Sequence, residues 1–180
     1  MKIGIGQINA AVGDFERNFE KILSASKTFA ENGADFAVFP EGALTGYPLR
    51  DLTFYTKFVE KTQTYLQRLA EQTPLPILVG GVRKSGLNVG VFDSAFWLEG
   101  GKIKYTYDKI LLPNYGTLND PRNFDSGSDF LSFEFEGAKI GITVCEDIWT
   151  LPSVSTSARY SGKHLPLDHF EAMAARGEKL

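Results

Sequence analysis

Phe-Asp-Ser-Ala-Phe-Trp-Leu (92–98), Glu-Gly-Gly-Lys (99–102) and Ile-Lys-Tyr-Thr-Tyr (103–107) read together as two β-strands closing on a tight turn. Paired glycines between two β-rich runs are a hairpin signal, because two-residue turns need backbone angles that other residues resist. Upstream, Ile77 to Val82 forms another apolar strand after Pro74 and Pro76. Downstream, Phe130 to Phe135 alternates, Glu136-Gly137 turns the chain, and Lys139 to Val144 alternates again into Cys145. Nearer the N-terminus, Lys2 to Asn9 reads as a strand with Ile3 and Ile5 on one face. Asp14 caps a helix with Phe15, Phe19, Ile22 and Phe29 on one stripe, and Gly33 stops it. Asp35 to Phe39 is a buried strand, and a second helix follows with Tyr55, Phe58, Val59, Thr62, Leu66 and Leu69 inward. Two strand-and-helix units followed by a meander predict an α/β fold, a mixed sheet with helices packed on it.

A chain of 180 residues has room for one domain with a sizeable core. Its net charge of -3 argues against a nucleic-acid partner, which would require clustered excess Lys and Arg. No apolar run is long enough to span a bilayer, and the N-terminus lacks a signal peptide's apolar segment. A single cysteine leaves no intrachain disulfide to form, so a cytoplasmic location is expected.

Three residues stand out at strand ends. Glu41, in Val-Phe-Pro-Glu-Gly (38–42), is held by rigid backbone at the edge of the core, where burial can raise its pKa toward a general base's range. Lys109 closes Lys-Tyr-Thr-Tyr-Asp-Lys (104–109), placed to face a developing oxyanion. Cys145 opens Cys-Glu-Asp-Ile-Trp (145–149), where a strand-to-loop turn would present its sulfur as a nucleophile. Taken singly, each has an ordinary reading: a solvated acid, a snorkelling edge-strand lysine, a core cysteine. The histidines, His164 and His169, lie together in the tail at a spacing of five, off one helical face, which argues against a Cys-His protease and a His-based zinc site.

Strand ends of a packed sheet bring side chains into one crevice. There, Pro-Glu-Gly (40–42), Asp-Lys-Ile-Leu-Leu-Pro (108–113) and Cys-Glu-Asp-Ile-Trp (145–149) resemble, in order, the three signatures of the nitrilase superfamily of carbon–nitrogen hydrolases. The longer stretches 40–52, Leu-Leu-Pro-Asn-Tyr-Gly (111–116) and 145–149 are similar to the N-terminal glutaminase domain of glutamine-dependent NAD synthetases, over residues 1–149. That resemblance implies an α-β-β-α sandwich with Glu41 as general base, Lys109 as oxyanion stabiliser and Cys145 as nucleophile. It implies that Tyr47 and Tyr115 shape the substrate pocket and that Asp120, Glu146 and Ser157 contact substrate. The implied substrate is glutamine or another small amide. ATP and an NAD precursor would bind a separate synthetase domain of the ATP pyrophosphatase type, so no cofactor or metal is expected in this chain. Family members often pack sandwich against sandwich, so a homo-oligomer is also expected.

The chain departs from that pattern in two ways. Asp120 stands where the synthetases carry a glutamate, one methylene longer, and Arg50 replaces a usual acid. After Trp149 a crossover helix and a strand are expected to be missing, and Ser155 to Lys163, with Ser157, resembles a worn later loop. The domain is therefore expected to be a carbon–nitrogen hydrolase over 1–180, truncated, with a poorly matching tail at 150–180 of marginal stability. A stand-alone small-amide amidase and an inactive interaction module are the alternatives.

Overall fold

A computed structural model describes residues 1–148. Five strands, β1 (Ile3–Ile5), β2 (Phe36–Val38), β3 (Ile77–Lys84), β4 (Val91–Glu99) and β5 (Lys102–Asp108), form one sheet in that order. β1, β2 and β3 pair in parallel, and β3, β4 and β5 pair antiparallel. A second sheet begins with the hairpin β6 (Ser132–Phe135) and β7 (Ala138–Gly141).

The predicted hairpin is present. Glu99 pairs with Lys102 across Gly100 and Gly101, whose φ values of 59° and 79° are those a two-residue turn requires. The strands at the edges are shorter than expected. β1 covers Ile3–Ile5 rather than Lys2 to Asn9, because it is an edge strand whose ladder to β2 lasts three residues. β7 ends at Gly141, and Ile142 N then donates to the Leu131 carbonyl at 3.1 Å as the chain continues into the site.

Two helices cover one face of the five-stranded sheet. α1 (Phe15–Glu31) starts at Asp14, whose carboxylate accepts from Arg17 N at 3.2 Å, and buries Phe15, Phe19 and Ile22. Its Asn18 is fully buried and donates to the carbonyls of Ala11 and Leu44, which ties the helix to the loop after β2. α2 (Thr56–Gln72) buries Val59, Thr62, Leu66 and Leu69 as predicted. Tyr55 does not join them. It precedes the helix with extended backbone, so the helical phase never turns it inward, and it is 65% exposed.

The opposite face of the sheet receives β6 and β7. Trp97 is fully buried between them, with the rings of Phe36 and Phe133 centred 5.1 and 4.9 Å away. Phe36, Ala95, Trp97, Tyr107, Phe133, Ile142 and Val144 form this inter-sheet core. The described residues thus build a helix layer, a sheet and the start of a second sheet. The fourth layer, the expected gap after Trp149, the 150–180 tail, Ser157 and both histidines lie outside them. No helix among the described residues is long and apolar enough to cross a membrane.

Gly80 shows how tightly β3 holds the loop after β2. A Cβ there would lie 2.5 Å from Gly42 N, 2.6 Å from the Pro40 carbonyl and 2.8 Å from Glu41 Cα. All three are backbone, so nothing yields cheaply. Gly80→Ala is expected to cost about 1–3 kcal/mol by overpacking. With Glu41 as the general base that the resemblance implies, it should also lower kcat by about a hundredfold, the effect of misplacing a reacting group by an ångström. Urea unfolding and an amidase assay on the same preparation measure both. Wild-type turnover in Gly80→Ala would show that this contact does not position Glu41.

Candidate active site

The side chains that converge do so because four inward-facing rows leave the inter-sheet core at the same end. On β4, Asp93 is in phase with Ala95 and Trp97; on β5, Lys109 follows Tyr105 and Tyr107. Phe36 and Val38 on β2 lead to Glu41, and Ile142 and Val144 lead to Cys145. Lys109 extends the ladder by one bond, from its N to the Asp93 carbonyl at 2.9 Å.

Lys109 is 1% exposed, so the edge-strand snorkelling reading does not hold. Its Nζ lies 2.6 Å from Glu41 Oε1, 2.9 Å from Asp120 Oδ2 and 3.7 Å from Asp93 Oδ2. Asp120 Oδ1 accepts from Tyr47 Oη at 2.7 Å. The shorter acid at 120 therefore reaches the lysine, helped by a short helical turn (Asp120–Arg122) that brings its backbone close. The acidic oxygens of Glu41, Asp93 and Asp120 lie within 4.8 Å of one another, a set that would suit a hard cation. The Lys109 ammonium sits among them as that cation.

These contacts set the charges. Burial disfavours the Lys109 ammonium, but the charge and hydrogen bond of Glu41, with the charge of Asp120, outweigh it and hold its pKa above the usual lysine range. Burial would also raise Glu41, yet the neighbouring Asp93 carboxyl and the charge of Lys109 hold it below the usual range. The expectation of a raised Glu41 is thus corrected: this acid is a carboxylate at neutral pH, because a cation is built in beside it.

Cys145 is solvent-exposed and begins a short helical turn (Cys145–Ile148) with φ at 48°. A non-glycine residue in that region stores about 1–2 kcal/mol of strain, which the surroundings must over-determine. Asp147 supplies much of that hold. It is fully buried and accepts from Tyr107 Oη, Leu111 N and Val144 N at 2.7, 2.9 and 3.0 Å, tying the Cys145 turn to the segment after Lys109. Tyr115 donates to Glu146 at 2.5 Å, and Glu146 is buried, so these two predicted substrate contacts stand together beside the cysteine.

The thiol is pushed up to about 11, by burial first and then by the negative charge of Glu41, with Lys109 opposing. Cys145 is therefore a resting thiol at neutral pH that needs a base. Its alkylation by iodoacetamide is expected to accelerate about tenfold per pH unit from neutrality toward pH 10, following the thiolate fraction. A rate independent of pH above 6 would mean a resting thiolate instead.

Sequence reasoning did not identify Asp93 or Asp147. Asp93 carried one available signal, a lone acid in phase with Ala95 and Trp97 inside an apolar strand. A cavity of about 190 Å³ adjoins the site through Tyr47 and Asp120 and is also lined by Leu49, Arg50 and Asn123.

Residues 2–159 match the family model for carbon-nitrogen hydrolases. The chain belongs to that family. As a carbon-nitrogen hydrolase it is similar to the glutamine-dependent NAD(+) synthetase of Thermotoga maritima, 35% identical over 92% of this chain and 29% of that protein. It is likewise similar to the glutamine-dependent NAD(+) synthetase of Synechocystis, 38% identical over 82% of this chain and 28% of that protein. Among solved structures, the glutamine-dependent NAD+ synthetase of Acinetobacter baumannii superimposes with a TM-score of 0.77 at 29% identity, over 82% of this chain and 28% of that one. This carbon-nitrogen hydrolase chain spans less than a third of the length of the curated relatives it matches.

Proposed function

We propose that this carbon-nitrogen hydrolase releases ammonia from glutamine through a thioester on Cys145, as the glutaminase portion of an NAD synthetase. The observation that carries this reading is the Lys109 ammonium. It is fully buried and fixed by Glu41 and Asp120, and its third N–H meets no acceptor at hydrogen-bond distance among the described residues. Such a cation is preorganised for an oxyanion at the place where the cysteine and its base meet.

The steps follow from the charges. Glu41 takes the thiol proton as sulfur adds to the amide carbon, because a thiol near 11 does not ionise ahead of attack. The amide oxygen becomes an oxyanion held by Lys109 and by the backbone amide after Cys145. Glu41 returns the proton to the departing ammonia. Water, deprotonated by Glu41, then splits the thioester and releases glutamate. Tyr115 and Glu146 border the substrate on the Cys145 side, and Tyr47 and Asp120 border it on the Lys109 side. The ammonia would serve a synthetase domain of the ATP pyrophosphatase type, which binds ATP and the NAD precursor.

The test supplies glutamine and small aliphatic amides side by side and follows ammonia release. It also treats the folded protein with a thiol-reactive glutamine analogue. Glutamine turnover with labelling at Cys145 is expected. Turnover of small amides alone would point to a stand-alone amidase. No turnover and no labelling would point to an interaction module.

A further inference from the structure

The site holds more carboxylates than its single ammonium can balance. Glu41, Asp93 and Asp120 surround a single ammonium, and two of them are visibly used as anions. Both Asp120 oxygens accept hydrogen bonds, from Tyr47 and Lys109, and Glu41 Oε1 accepts from Lys109. Asp93 differs. It is 3% exposed, and its Oδ2 has no hydrogen-bond partner among the described residues. Lys109 Nζ is the nearest cation and lies 3.7 Å away, beyond hydrogen-bond reach. The oxygens of Glu41 and Asp120 close by are themselves acceptors. A buried anion with no donor is costly, whereas a buried acid that carries a proton becomes a donor among acceptors.

We propose that Asp93 is a positioning residue that stays protonated and donates its hydrogen bond to Glu41, leaving Lys109 with two anionic partners and one N–H for substrate. Burial, then the charge of Glu41, lift Asp93 well above the usual carboxylate range, in the same sense. The charged and titratable groups around it are Glu41, Lys109 and Asp120, with Cys145 and Tyr47 one contact further. The consequence for chemistry is orientation. A donor on one side and Lys109 on the other fix the Glu41 carboxylate, so that its remaining acceptor position faces the Cys145 thiol.

This inference rests on Glu41 acting as the base, so its test has one arm that needs no substrate. Infrared difference spectra of wild type minus Asp93→Asn at neutral pH should contain the carbonyl stretch of an uncharged carboxylic acid, shifted downward in D2O. Only carboxylate bands in that difference would mean an ionised Asp93 and overturn the proposal, whether or not glutamine is turned over. In the second arm, Asp93→Leu, which removes the donor, should lower kcat for glutamine by about tenfold to a hundredfold, the effect of losing a hydrogen bond to a charged group, with KM little changed. Asp93→Asn, which keeps an N–H donor and cannot ionise, should restore most of that loss. If Asp93→Asn is as slow as Asp93→Leu, the negative charge is what matters and the proposal falls. A wild type that leaves glutamine untouched rejects the glutaminase reading and leaves the infrared result to decide Asp93.

Discussion

Replacing Cys145 with alanine is expected to lower kcat for amide hydrolysis by about four to six orders of magnitude, as removal of a nucleophile does in other covalent hydrolases. Without sulfur no thioester forms, and Lys109 and Glu41 are left to assist water alone. Water held in solvent-like geometry is a poor substitute for a nucleophile fixed on a strained turn. The fold should hardly notice. Cys145 is exposed, and alanine occupies the same backbone conformation with similar strain, so stability should stay within about 0.5 kcal/mol. Ammonia release and urea unfolding on one preparation separate the two effects. Residual activity above about one per cent of wild type would move the nucleophile elsewhere, since nucleophile deletions leave far less.

Lys109→Met is expected to damage both fold and chemistry. The methionine fills similar volume but leaves the carboxylates of Glu41 and Asp120 without their cation. Removing one partner of a buried charge set costs about 3–5 kcal/mol, and loss of an oxyanion donor costs about two to three orders of magnitude in kcat. The pH dependence has a definite sign. The Lys109 pKa is raised on folding, so its contribution is fully present below the unfolded value of 10.5 and is lost only as pH rises through the folded one. The Glu41 pKa is lowered on folding, so its contribution is present above the unfolded value of 4.5 and fades as pH falls through the folded one. The stability gap between wild type and Lys109→Met should therefore be wide at neutral pH and narrow in acid. Adding Glu41→Gln to Lys109→Met should recover part of the stability and none of the activity. A gap unchanged down to pH 3 would mean that these carboxylates do not depend on the lysine.

What the sequence made legible follows the range of the interactions involved. Helix α1 is written in Asp14, the Phe15–Phe19–Ile22 stripe and Gly33, all local signals, and the β4–β5 turn is written in two adjacent glycines. Glu41, Lys109 and Cys145 could be found because each ends or follows a strand and is flanked by recognisable turn residues. The lengths of β1 and β7 were not legible, since an edge strand ends where its partner stops pairing, and that partner is distant in sequence. The charge state of Glu41 was misread for the same reason. Burial is visible from an apolar neighbourhood, but the opposing effect of Lys109 and Asp93 exists only after β2, β4 and β5 come together. Asp147 escaped notice because two of its partners, Tyr107 and Leu111, lie 40 and 36 residues away in sequence.

The Trp97 sandwich between the two sheets carries an implication for how this protein tolerates change. Phe36 and Phe133 flank that indole; Phe36 lies on β2, which leads to Glu41, and Phe133 pairs across from Ile140 on β7, which leads toward Cys145. The rings therefore act as a spacer that sets the gap between Glu41 and Cys145. A substitution there that trims one ring alters a distance at the reacting atoms, although the altered residue touches none of them. Repacking this interior for heat resistance would therefore also shift the spacing between Glu41 and Cys145.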